Sequence, residues 1–137
     1  KIVVAATPSS QCRLSDEHID RLERDGYMLS PSNRTGQTLR VGIDWLNDIR
    51  AQGDALNPRV SIAQIDVPTL LIHGEDDPTV PLLEAQELLE ASGQRARLVV
   101  IPEAEHTFNC PNPLPDADDE PAATRQMFDA ALAFLKQ

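Results

Sequence analysis

The sequence predicts an α/β fold in which about three parallel strands are covered by helices on both faces. Three apolar runs carry the prediction: Lys1 to Thr7, Thr69 to His73 (Thr-Leu-Leu-Ile-His) and Leu98 to Pro102 (Leu-Val-Val-Ile-Pro). Each is nearly continuous rather than alternating. A strand with one wet face alternates, whereas a parallel strand buried on both faces does not. The second observation is the amphipathic stretch between the second and third runs, and the third is another after the last run.

The first run, Lys1 to Thr7, has the β-branched and small residues of a buried strand. A chain that opens inside such a strand is expected to continue an earlier part of the fold, or to meet another chain along this edge.

Residues 8–67 are too long for an ordinary crossover and are expected to carry their own structure, read here as a helical insertion. Ser15 is a good N-cap, Leu14 and Ile19 occupy the two positions of a hydrophobic staple, and Gly26 is a stop; a helix over Asp16 to Asp25 follows. A second helix is expected around Leu39 to Arg50, with Ile43, Leu46 and Ile49 on one side, Trp45 beside that stripe and Gly53 after it. A third begins either at Asn57-Pro58 or at Ser61, whose Gln64 completes a capping box. Trp45 and Tyr27 are candidates for lining a pocket, with buried packing the more ordinary role for Trp45.

From Pro81 to Ser92, Leu82, Ala85, Leu88 and Leu89 recur at helical spacing, Pro81 suits the first turn and Gly93 the stop. This is the crossover helix of a strand-helix-strand unit. Pro111 to Pro121 is polar and Pro-rich, and its Asp116, Asp118, Asp119 and Glu120 mark an exposed loop. Ala122 to Leu135 then forms a final helix with Met127, Ala131, Phe134 and Leu135 on one face.

Composition excludes several classes of function. The chain has 137 residues, enough for one domain or part of one, and 41% of them are hydrophobic, enough for a modest core. With 12 Lys and Arg against 22 Asp and Glu, the net charge of -10 repels phosphate backbones and anionic lipids, so neither nucleic acid nor a membrane is an expected partner. No stretch approaches the roughly 20 apolar residues of a membrane span. Cys12 and Cys110 are too few and too far apart for a disulfide scaffold or a zinc site. A reducing cytoplasm is the expected compartment. Both cysteines follow predicted strands, so a pairing stays open beside the more ordinary reading of two thiols.

The chemistry is concentrated in two loops. Leu71-Ile72-His73-Gly74-Glu75-Asp76-Asp77-Pro78-Thr79-Val80-Pro81 is an apolar strand ending in Gly, an acidic turn, and a Val-Pro that starts a helix. Val100-Ile101-Pro102-Glu103-Ala104-Glu105-His106-Thr107-Phe108 is a strand followed by a small turn with a His and then a Phe. In a parallel sheet all strands deliver their C-terminal ends to one edge, where ligands bind. A carboxylate and an imidazole on neighbouring ends can share a proton, which fixes the ring tautomer and stabilises the imidazolium. In isolation, Asp-Asp-Pro is ordinary turn chemistry and a loop His is usually solvated; together at matching places they point to a site.

These two loops resemble the acid and histidine loops of the α/β-hydrolases, and the chain is similar to the C-terminal part of that fold over essentially its whole length. The family's acid loop reads strand, Gly, two residues, Asp, two residues, Val-Pro. Counted from Gly74, the resemblance selects Asp77 as catalytic acid, with Asp76 as its neighbour, and His106 as the catalytic base. One departure is Glu105, where the family has a second Gly before the His. The resemblance implies that the segment after the first strand forms a lid.

The family's nucleophile turn, Gly-x-Ser-x-Gly, has no counterpart among Ser9, Ser10, Ser15, Ser30, Ser32, Ser61 and Ser92, nor at Cys12 or Cys110. The resemblance therefore implies a serine hydrolase of a small-molecule ester, thioester or amide, closest to the dienelactone-hydrolase and peptidase-like branches, whose nucleophile and oxyanion hole lie outside this sequence. Such a chain alone is expected to be inactive. The alternative is a non-catalytic remnant acting as an interaction or structural module. No cofactor motif is read. A metal site from His73, Asp76, Asp77 and His106 fits no known ligand spacing. His73 is expected as a hydrogen-bonded core or rim residue, and His18 lies in the first turn of a surface helix.

Overall fold

A computed structural model describes the whole chain except residues 33–34, 114–115 and 117–118. Its elements in order are β1 (Ile2–Ala5), α1 (Asp16–Asp25), β2 (Tyr27–Pro31), β3 (Thr38–Gly42), α2 (Ile43–Gln52), a 3-10 turn (Gly53–Leu56), α3 (Pro58–Ala63), β4 (Thr69–Gly74), α4 (Leu82–Ala91), β5 (Ala96–Ile101) and α5 (Ala122–Lys136). They fall into two compact units, one made of Lys1–Ser10 and Pro58–Gln137, the other of Gln11–Asn57.

The first unit is built on a three-stranded parallel sheet of order β1-β4-β5, with Ile2 opposite Thr69 and Thr69 opposite Ala96. All six residues of the central β4 are buried, as its unbroken apolar composition requires. Alternate β4 side chains face opposite ways and enter two separate cores. Leu70 and Ile72 pack with Ile101, Ala104, Phe108, Ala123 and Phe134 on the α5 side. Leu71 packs with Ile62, Leu88 and Ala96 on the α3 and α4 side. The expected α/β architecture, with helices on both faces of parallel strands, is thus observed.

Two expectations in this unit need correction. The Lys1 to Thr7 run was expected to be buried on both faces, yet Ile2, Val3 and Val4 are half-buried and Ala5 is exposed. Among the described residues β1 pairs with β4 alone, so its other edge lacks the neighbour that would cover it. Leu135 was placed on the packed face of the last helix but is 49% exposed, while Met127, Ala131 and Phe134 do face the core. In the Pro111 to Pro121 loop, Asp116 and Asp119 are exposed and Glu120 is half-buried beside Arg125 at 3.3 Å; Asp118 lies outside the described residues.

The second unit is not purely helical. Its first helix matches expectation: the Ser15 hydroxyl accepts from the His18 N–H, and Gly26 ends the helix with φ 75°, a left-handed conformation that costs a residue without Cβ little. The chain then forms an antiparallel hairpin, β2 with β3, where helix or loop was expected. Leu39, read as the start of the second helix, is in β3, and α2 begins only at Ile43. The helix start is stabilised from outside, since Ile43 N–H donates to Gly26 O at 2.9 Å. Leu46 and Ile49 are buried as their spacing implies, but Trp45 is 40% exposed rather than packed. Tyr27 borders a shallow depression with His18 and Met28 on the same unit. Of the two starts left open for the third helix, the observed one is Pro58.

Candidate active site

The site forms where β4 and β5 end side by side, Gly74 opposite Ile101 in the parallel register. Beyond that point the two loops remain joined by backbone: Glu75 N–H donates to Ile101 O at 2.9 Å and Asp76 N–H to Ala104 O at 3.0 Å. So close an approach explains Gly74. A Cβ there would lie 2.3 Å from the Ala104 carbonyl oxygen, well inside van der Waals contact.

With the acid loop held this way, Asp76 is exposed and Asp77 is buried, its side chain wholly out of solvent. Both oxygens of the Asp77 carboxylate accept hydrogen bonds. Its Oδ1 accepts the backbone N–H groups of Thr79 and Val80, each at 2.8 Å. Its Oδ2 is 2.9 Å from His106 Nδ1 and 3.4 Å from His73 Nε2.

Burial on its own would push the Asp77 carboxyl up, but the Val80 N–H, the His106 ring and the Thr79 N–H together outweigh it and hold the group below the ordinary carboxylate range. An ionised carboxylate only accepts, so the 2.9 Å contact assigns a proton to His106 Nδ1, which in the neutral ring leaves Nε2 as the acceptor. The His106 side chain is 38% exposed, so a group outside can reach it.

The histidine loop is stiffened from within and from below. Glu103, Phe108 and Asn109 have φ of 55°, 53° and 62°, and Glu105 is not in the left-handed region, so the Glu in place of the family's second Gly imposes no strain there. The Asn109 side chain spans the loop, accepting from Glu105 N–H at 2.9 Å and donating to Glu103 O at 2.9 Å. Phe108 is buried in the α5-side core, and Thr124 on α5 donates its hydroxyl to Phe108 O at 2.8 Å.

Sequence reasoning named Asp77 and His106, which the structure brings together. It missed His73 as part of this cluster, having placed it only in the core or at the rim. His18 lies elsewhere, on the exposed start of α1 against Ser15. Among the described residues no three His, Cys, Asp or Glu side chains are grouped to hold a metal ion, and neither cysteine is in a disulfide. Among those residues, too, no helix is long and apolar enough to cross a membrane.

A family model described as alpha/beta hydrolase fold matches residues 5–113. The chain belongs to the α/β-hydrolase family. Its parallel sheet, with the Asp and His loops at one edge, is part of that fold. Over 55 residues, 40% of this chain, it is 46% identical to a Pseudomonas savastanoi pv. phaseolicola (strain 1448A / Race 6) protein that carries the name carbamate hydrolase RutD, of which 21% is covered. A solved structure from Agrobacterium vitis S4, described as a hydrolase, superposes with a TM-score of 0.65 at 20% identity, covering 96% of this chain and 48% of the other. The esterase domain of a Rhodothermus marinus protein gives a TM-score of 0.55 at 17% identity, covering 98% of this chain and 51% of the other. This α/β-hydrolase chain therefore spans about half the length of these structural neighbours and about a fifth of the carbamate hydrolase.

Proposed function

We propose that this chain supplies the acid and the base of a Ser-His-Asp triad in a hydrolase of small-molecule esters, thioesters or amides, similar to the dienelactone-hydrolase and peptidase-like branches. The supporting observation is the 2.9 Å contact between His106 Nδ1 and Asp77 Oδ2 at the ends of adjacent parallel strands. The name of the Pseudomonas relative adds carbamates to the bonds worth testing.

In this reading His106 Nε2 takes the proton of a serine hydroxyl as the oxygen attacks the acyl carbon. The imidazolium is stabilised by Asp77 and returns the proton to the leaving group. Water then attacks the acyl-enzyme with the same help. The serine and the oxyanion donors belong to polypeptide outside these 137 residues, pairing along the open edge of β1. The compartment proposed is a reducing cytoplasm.

The test is His106→Ala in the protein that carries this chain together with its nucleophile, assayed on a p-nitrophenyl ester. Turnover should fall by about three orders of magnitude or more, as for loss of a triad base; unchanged turnover ends the reading. A second reading, a non-catalytic interaction module, draws on the absence of Gly-x-Ser-x-Gly from the sequence. It predicts no serine that a fluorophosphonate probe would label in the protein carrying this chain.

A further inference from the structure

We infer that His73 is a positioning residue for the acid of this site: its Nε2–H holds the carbonyl of Val80, whose own N–H in turn holds the Asp77 carboxylate toward His106. The inference rests on the reading of Asp77 as the acid. His73 is 1% exposed and lies at the C-terminal end of β4, on the face that looks toward α4. Its Nε2 is 2.7 Å from the Val80 carbonyl oxygen. That oxygen can only accept, so Nε2 must carry a proton. The tautomer of a buried ring is thereby fixed by a single contact.

Val80 is held in two directions through the peptide units on its two sides. Val80 accepts from His73 through its carbonyl and donates its own N–H to Asp77 Oδ1 at 2.8 Å. His73 Nε2 itself lies 3.4 Å from Asp77 Oδ2, the oxygen that receives His106, while its proton is directed to the Val80 carbonyl. With Oδ1 held by two backbone N–H groups and Oδ2 by His106, the carboxylate is fixed in rotation, and the His106 ring inherits that orientation. An apolar side chain at position 73 leaves the buried Val80 carbonyl without a donor, so the turn must move to find one. Val80 itself is 3% exposed, so water does not substitute without such movement.

The arrangement goes beyond ordinary core packing because a histidine is a poor choice merely to fill space beneath a sheet. Leu71, two residues earlier on the same face, fills it with an aliphatic side chain. What histidine adds is one directed N–H at the length needed to reach past the turn. Glutamine is the closest mimic, since its amide nitrogen extends about as far from the backbone as the ring's Nε2.

The experiment is nitrogen-15 and proton NMR of histidine side chains in the protein carrying this chain, with His73→Leu, His73→Gln and Asp77→Asn beside the wild type. In the wild type, His73 should be the neutral Nε2–H tautomer; an Nδ1–H tautomer overturns the inference without any mutation. In His73→Leu the downfield Nδ1 proton of His106 should be lost to solvent exchange, and His73→Gln should restore it. A His106 proton unchanged in His73→Leu overturns the inference. Should His73→Leu not fold, His73→Asn, too short to reach Val80, takes its place with the same two outcomes. Asp77→Asn tests the role of the acid apart from that of His73. If it leaves the His106 proton untouched, the acid itself is misassigned; if it abolishes that proton while His73→Leu does not, only the role of His73 fails.

Discussion

Gly74 and Ala104 approach so closely that no side chain fits between them, the missing Cβ falling 2.3 Å from a carbonyl oxygen. This contact sets the distance between the acid loop and the histidine loop, because Asp77 follows one and His106 the other. Gly74→Ala is therefore expected to force the loops apart. Overpacking of this kind costs about 1–3 kcal/mol, and the 2.9 Å Asp77–His106 contact should lengthen with it. Urea unfolding and the His106 Nδ1 proton resonance read the two effects together. A Gly74→Ala protein as stable as wild type, with that resonance intact, would show the loops to be more compliant than their hydrogen bonds imply.

The Asp77 carboxyl gives a pH dependence with a definite sign. Burial opposes its ionisation, yet the Val80 and Thr79 N–H groups and His106 together bring it below the ordinary range. A group whose folded-state pKa is depressed stabilises the fold fully above its unfolded value, about 3.9 for Asp. That contribution fades as pH falls from there through the folded-state value. Asp77→Asn removes it. The stability difference between wild type and Asp77→Asn should accordingly be largest near neutrality and shrink on acidification below about pH 4. Urea unfolding at pH 7 and pH 3 measures it, and a difference that grew toward acid would contradict the direction.

The legibility of this fold in its sequence follows from how deeply each part is buried. β4, α4 and β5 lie in or against the two cores, and their apolar spacing is dictated by those cores. Asp77 could be told from Asp76 only through the resemblance to the family's acid loop, in which the Asp stands three residues after the Gly matched by Gly74. The hairpin could not be read: β2 alternates in burial, but Leu29 stands on its exposed side at 60%, and in β3 Leu39 is 54% exposed, so the apolar residues do not mark a dry face. Leu39 also lies at helical spacing from Ile43, which extended the expected helix backward into β3. His73 was legible as a core histidine and no more, because its partner is a main-chain carbonyl seven residues on whose position depends on the closed turn.

Asn109 contributes to the histidine loop in two ways that can be separated. It occupies the left-handed region at φ 62°, where Asn is tolerated better than most residues, and its amide bridges Glu105 N–H and Glu103 O around His106. Asn109→Ala loses both features, whereas Asn109→Gly keeps the backbone conformation at no steric cost and loses only the bridge. Each lost hydrogen bond is worth about 0.5–1.5 kcal/mol at such a site, and the left-handed Ala adds about 1–2 kcal/mol. Both variants should accelerate exchange of the Glu105 amide proton, because its acceptor is gone in each. Asn109→Ala should also unfold at lower urea than Asn109→Gly, by the strain alone. Equal midpoints would mean that the loop relaxes out of the left-handed conformation once the amide is removed, making the bridge the cause of the backbone shape rather than its beneficiary.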